Sequence, residues 1–309
     1  MSEHPRQDSR DFDPEVMRLF DQYVHGAIDR RGFLAGAARF AAGAGGAVAL
    51  LAALSPRFAE AQQVPPDDAR LAARYVKFDS PKGYGKARGY LAQPAKTTGR
   101  LPTVLVVHEN RGLNPHIEDV TRRLALEGYI AFAPDALFPL GGYPGDEDAA
   151  RTLFRKLDQK RTREDFLAAA DWLVRTEGGN GKLGVVGFCY GGAISNFLAT
   201  RLPDLAAAVP FYGMAAPIED VPRIKAELLV VLAATDESIN AAWPEYEAAL
   251  KKAGVRHALY QPAGTQHGFN NDTTPRYDKA AADEAWRRML ALFERTLGAP
   301  ATSEKRKTG

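Results

Sequence analysis

Residues 187–191 read Gly-Phe-Cys-Tyr-Gly and hold the only cysteine of a 309-residue chain. A nucleophile between two glycines, after the apolar run Leu183 to Val186, has the pattern of a strand that turns sharply into a helix. The flanking positions must be nearly bare there, because the strand and helix pass close to one another. A sulfur at the apex would lie near a helix N-terminus, where backbone N–H groups and the helix dipole favour thiolate. The alternative is a buried cysteine acting as a small hydrophobe beside packing glycines.

A thiol nucleophile needs a base to keep it ionised and an acid to orient that base. The apolar run Leu228 to Leu232 leads through Ala233-Ala234-Thr235 to Asp236. Beyond the next strand, a glycine-bearing loop presents His267 followed by Gly268 and Phe269. The order nucleophile, acid, histidine is the one an α/β-hydrolase uses. Glu237 adjoins Asp236, but the strand-and-turn register favours Asp236. Among the other histidines, His108 at a strand end is the serious rival, although it precedes the nucleophile. His257 falls in a strand and reads as structural, His116 opens a helix and reads as solvated, and His4 and His25 lie in a segment expected to leave the mature protein. After the strand Thr103 to Val107 come His108, Glu109, Asn110, Arg111 and Gly112, at the edge where an oxyanion loop belongs. The backbone N–H groups of Asn110 and Tyr190 could converge on a developing oxyanion.

The elements that must position these residues alternate. A hairpin is expected from Arg74–Phe78 and Ala87–Ala92, then strands at 103–107, 129–133, 183–186, 207–211, 228–232 and 257–260. Helices are expected near 117–127, 193–200 and 243–252. Another should open at Thr162 with Asp165 as a capping pair, and a last one carries Ala282, Ala285, Trp286, Met289 and Phe293. Several strands are apolar throughout, the mark of a mostly parallel sheet with helices on both faces. The stretch 138–145, rich in Gly and Pro, is long enough to line a pocket.

These residues resemble the dienelactone hydrolase family of the α/β-hydrolase superfamily, from the opening hairpin to the last helix. The resemblance implies an α/β-hydrolase fold and hydrolysis of a small ester or lactone through a cysteinyl acyl-enzyme. It implies a Cys189-Asp236-His267 triad, with Glu109 bonded to the resting thiol and the amides of Asn110 and Tyr190 as oxyanion donors. No cofactor and no metal are implied. The chain departs from the family where substrate is read. The segment Pro134 to Gly142 has no arginine, and Asn270-Asn271-Asp272 follows the histidine where the family carries one. Arg111 or Arg276 could substitute, and a neutral ester should compete well with a carboxylated one. The alternative is a ligand-binding or thiol-sensing protein that keeps the fold. A lone thiol has no second cysteine with which to resolve its oxidised form, which argues against a redox switch.

Residues 1–61 read as a separate unit. Arg30-Arg31-Gly32-Phe33-Leu34, an Ala/Gly/Leu-rich stretch from about residue 40 to 54, and Ala59-Glu60-Ala61 resemble a twin-arginine export signal. They imply the twin-arginine machinery as a partner and a periplasmic or otherwise exported protein. The stretch is too short and too rich in small residues for a stable membrane span. The alternative is an amphipathic helix packed on the domain. Residues 62–70 form a linker, 71–300 the hydrolase domain and 301–309 a charged tail. With 45% hydrophobic and 25% charged residues the composition is that of an ordinary globular protein. A net charge of +2, from 40 Lys and Arg against 38 Asp and Glu, gives no electrostatic case for nucleic acid.

Overall fold

A computed structural model describes residues 8–41 and 46–300. His4 and the tail after residue 300 lie outside the described residues, as do residues 42–45 within the apolar part of the expected signal. The domain opens with the antiparallel hairpin β1 (Leu71–Ser80) and β2 (Gly85–Pro94). β3 (Leu101–Val107), β4 (Ile130–Pro134), β5 (Gly179–Phe188), β6 (Ala207–Phe211), β7 (Glu227–Val231) and β8 (His257–Tyr260) follow. Among the described residues they form one eight-stranded sheet in the order β1-β2-β4-β3-β5-β6-β7-β8. β2 pairs antiparallel with β4, and every pairing from β4 across to β8 is parallel.

Alternation along β3 shows why the central strands are apolar at every position. Leu105 and Val107 enter the core on one face, Val104 and Val106 the core on the other, and all four are fully buried. Phe166, Ala170 and Leu173 of α7 (Gln159–Val174) and Ile194 and Leu198 of α8 (Tyr190–Arg201) cover the first face. Ile117, Val120 and Leu124 of α5 (Pro115–Leu126) and Ala285, Met289 and Phe293 of α11 (Lys279–Leu297) cover the second. α6 (Glu147–Phe154), α9 (Glu237–Asn240) and α10 (Trp243–Lys252) fill the connections.

One helix start differs from the sequence expectation. Asp158 caps α7 by accepting from the N–H groups of Lys160 and Arg161, so Thr162 and Asp165 lie inside the helix. The Thr162 hydroxyl donates to the Asp158 carbonyl, and the Asp165 carboxylate instead accepts the Tyr84 N–H of the β1–β2 turn at 3.0 Å.

The N-terminal region is folded and docked. α1 (Pro14–His25) starts at an Asp13 cap with Pro14 in its first turn and ends at Gly26 in the left-handed region, φ +79°. α2 (Arg30–Ala37), α3 (Gly46–Leu54) and the short α4 (Phe58–Ala61) complete it. Val16, Phe20 and Tyr23 of α1 meet Phe33 of α2 and Leu51 and Leu54 of α3 in a small core of their own. Among the described residues no helix is long and apolar enough to cross a membrane.

Candidate active site

The thiol sits where the sequence pattern puts it, and the backbone explains the glycines. Cys189 follows β5, precedes α8, and has φ +54° and ψ −112°. With Tyr212 it is one of two described non-glycine residues at positive φ. A Cβ at Gly187 would stand 2.0 Å from the Gly191 carbonyl oxygen, and one at Gly191 2.2 Å from that of Val107. No side chain fits either place, so the elbow exists only because both positions are bare. Tyr190, the first residue of α8, offers one of the N–H groups that a helix start leaves unbonded.

Asp236 and His267 meet as the chain order requires. His267 Nδ1 donates to Asp236 Oδ2 at 2.5 Å, and both side chains are buried. That bond leaves Nε2 on the thiol side, buried and without a hydrogen-bond partner of ordinary geometry. Burial alone would push the Cys189 thiol up, but the charges and hydrogen bonds of His267 and His25 outweigh it and hold the thiol at about 6. Burial likewise works against the charged form of His267, yet Cys189 and Asp236 raise its pKa. The pair therefore favours thiolate beside imidazolium. Glu237 points to solvent.

His108 is excluded as the base by its bonds. It is fully buried, its Nδ1 lies 2.6 Å from the Glu109 carbonyl, and its Nε2 accepts the Ala136 N–H at 3.2 Å. Burial lowers its pKa, so it is a neutral strut between the oxyanion loop and the end of β4. His257 Nδ1 bonds the Val255 carbonyl at 2.8 Å, a structural role.

Three sequence expectations are corrected here. Glu109 does not bond the thiol; its carboxylate accepts from Asn271 Nδ2 at 3.3 Å. His116 is buried rather than solvated, 3.3 Å from Asp272, which also accepts from Arg123. Arg111 and Arg276 are not free to clamp a substrate. Arg111 donates to the Val24 carbonyl of α1 at 3.3 Å and to the Asn110 side chain, while Arg276 reaches Asp21 of α1 at 3.5 Å. In the full chain His25, which lies in the segment expected to act as a signal, stands with its ring centroid 4.3 Å from that of His267. Its Nδ1 lies 2.9 Å from the Asp21 carbonyl and 3.3 Å from the Asp21 carboxylate.

Tyr212, at φ +36° after β6, was not singled out by its sequence position. Its ring lies 4.8 Å from that of His267, and its hydroxyl is buried without a partner. Between α1 and the oxyanion loop remains a cavity of about 50 Å³ bordered by Tyr23, Val24, Glu109, Arg111, Asn271 and Arg276. Ordinary ligand pockets run to roughly 300–1,000 Å³, so this cavity by itself is smaller than a substrate site.

A doubly covered, mostly parallel sheet with a nucleophile elbow after its fifth strand and a histidine–aspartate pair beyond it defines an α/β-hydrolase. The model of the dienelactone hydrolase family matches residues 87–297, and a separate model described as YqhI-like matches residues 4–42. A putative carboxymethylenebutenolidase of Escherichia coli K12 is 34% identical over 249 residues, covering 75% of this chain and 90% of that protein. A putative hydrolase fragment, YghX, of the same strain is 54% identical over 112 residues, 36% of this chain and 96% of the fragment. The crystal structure of a putative dienelactone hydrolase from Klebsiella pneumoniae superposes with a TM-score of 0.64 at 32% identity, over 72% of this chain and 99% of its own. The chain belongs to the dienelactone hydrolase family and is a hydrolase of the carboxymethylenebutenolidase type.

Proposed function

We propose that this chain cleaves a small ester or lactone through a cysteinyl acyl-enzyme. The observation that carries the reading is the short bond from His267 Nδ1 to Asp236, which turns Nε2 toward a thiol held at about 6. In the first step the Cys189 thiolate attacks the carbonyl carbon, and the C–S bond forms as the carbonyl electrons move to oxygen. The amides of Asn110 and Tyr190 receive that oxyanion. Collapse breaks the C–O bond, and His267 gives its Nε2 proton to the departing alkoxide, which in a lactone stays tethered to the acyl group. Neutral His267 then takes a proton from water, hydroxide attacks the thioester, and the acid and thiolate are released. Asp236 keeps Nδ1 protonated throughout and stabilises the imidazolium. Glu109 accepts from Asn271 and so orients the loop that follows His267.

Two finer readings belong with this one. With Arg111 and Arg276 engaged by α1, a neutral ester or lactone is the expected substrate class. Residues 1–61, with Arg30-Arg31, act as an export address read by the twin-arginine machinery, giving a periplasmic enzyme. Replacing both arginines by lysine should then retain folded protein in the cytoplasm. Burst-and-turnover kinetics on a panel of aryl esters and unsaturated lactones test the hydrolytic reading. Multiple turnovers with a trapped thioester on Cys189 support it. Stoichiometric acylation without turnover would point to a binding or sensing protein that keeps the fold.

A further inference from the structure

α1 brings a second histidine to the thiol, and this is the arrangement a thiophilic cation uses. His25, Cys189 and His267 each turn one ligand atom to a common point, and these atoms lie within 4.8 Å of one another. The rings are already oriented. Asp236 bonds Nδ1 of His267 and Asp21 lies behind Nδ1 of His25, so each ring turns its Nε2 toward the sulfur. A carboxylate or carbonyl behind each ligating imidazole is the outer-shell arrangement of protein zinc sites. His267 Nε2 is the independent sign of a missing partner, since it is buried with no hydrogen bond of ordinary geometry. The His25 side chain is 33% exposed, so an ion can enter from solvent and keep water as its fourth ligand.

We propose that His25, Cys189 and His267 form a three-ligand site for a divalent cation of the zinc type. Bonds of about 2.3 Å to sulfur and 2.0–2.1 Å to nitrogen require the three atoms to close by about 1 Å, a movement α1 can supply from the domain surface. On binding, the Nε2 protons of the two imidazolium rings leave to solvent, the sulfur is already thiolate, and no electron is transferred. The ion occupies the thiolate and the lone pair of the base together and fastens α1 over the nucleophile. This assignment uses the same thiol as the acyl-enzyme but does not depend on it, because coordination is read without turnover.

The test uses the full chain with cobalt(II) as a spectroscopic probe and zinc as competitor. One equivalent of cobalt should bind with a thiolate-to-metal charge-transfer band, and one equivalent of zinc should abolish it. Removal of an outer-shell partner ordinarily costs about 10–100-fold in metal affinity, so Asp21→Asn should weaken binding within that range and His25→Ala by at least its upper end. Circular dichroism of both variants separates lost ligation from lost folding, and His25 is exposed enough to be replaced without a cavity. Zinc should inhibit ester cleavage over the same concentrations as it displaces cobalt. Binding that is unchanged in folded His25→Ala, or a spectrum with no thiolate band, would overturn the site. So would the absence of stoichiometric binding by the wild type, even if that protein turns over esters normally.

Discussion

The α/β domain and the N-terminal region are held in different ways. The domain has two extended cores, one on each face of its sheet, built from buried side chains. The N-terminal region has a small core of its own and meets the domain through polar contacts and a few ring contacts, such as Phe58 with Tyr143. Ser9 N–H reaches the Pro275 carbonyl at 2.8 Å, Arg57 N–H the Thr273 carbonyl at 2.9 Å, and Arg155 the Gly26 carbonyl at 2.9 Å. Arg151 and Asp148 bond Tyr23, and Arg30 lies 3.4 Å from Asp148. Buried apolar contacts make a fold cooperative, whereas contacts of the second kind can be exchanged for water at small cost. The domain cores are therefore expected to unfold as one cooperative unit and the N-terminal region to be the less tightly coupled part.

The largest expected effect lies wholly within the domain. Cys189→Ala should lose roughly 10³-fold or more in kcat while its thermal unfolding stays near that of the wild type. Asp236→Asn should cost roughly 10²–10⁴-fold by releasing the His267 tautomer. His108→Ala should instead cut stability, by about 1–3 kcal/mol for the stranded Ala136 N–H, and spare kcat. If His108→Ala proved as inactive as Cys189→Ala at unchanged stability, the strut and the base would have been confused.

The next effect crosses the boundary. A chain beginning at Gln62 should fold and turn over small esters faster than the full chain, because the space now filled by α1 becomes available. Failure of that form to fold, with its buried surface exposed to a hydrophobic dye, would show that the two regions share one core after all.

A smaller effect is electrostatic. Thiolate is the species that alkylating reagents attack, so the iodoacetamide rate at Cys189 should rise with pH through a midpoint near 6. His25 helps hold that midpoint down, and His25→Ala should move it upward. An unmoved midpoint would assign the whole depression to His267.

The smallest concerns stability in acid. Burial opposes ionisation of Asp272, but His116 and Arg123 hold its carboxyl down at about 2. Its folded-state pKa is below the ordinary carboxylate value near 4, so its stabilisation is complete above about pH 4 and lost as pH falls toward 2. Asp272→Asn should flatten the melting temperature against pH in that window, and an unchanged slope would remove Asp272 from the account.

What the sequence made legible follows from which features are local. The apolar runs of β3, β6 and β7 and the bare positions around Cys189 are properties of a few consecutive residues. Asp236 and His267, which the structure brings together, could be singled out because strand ends are local as well. The Thr162 and Asp165 pair misled because the same residue types that cap a helix also occur inside one when other partners engage them: the Tyr84 N–H donates to Asp165, and Thr162 donates to the Asp158 carbonyl. Nothing near His25 in sequence signals that its ring will meet His267, and nothing near Arg276 signals Asp21. Those contacts depend on how α1 docks, which no local pattern encodes. The same holds for Glu109, whose partner Asn271 comes from the loop after β8.

That loop has one further consequence, and it concerns the order in which the chain is made. The segment from Asp272 to Arg276, just beyond His267, is gripped by Gln63, Arg57, Ser9 and Asp21 in turn. Asp21 and Arg276 are 255 residues apart. At roughly 5–20 residues per second, a ribosome needs on the order of tens of seconds to travel that distance. Through that interval α1 and the paired arginines have emerged while their docking sites have not been synthesised. The start of the chain is thus undocked for most of its own biosynthesis, and the loop that carries His267 receives its last fastenings from the residues that were made first.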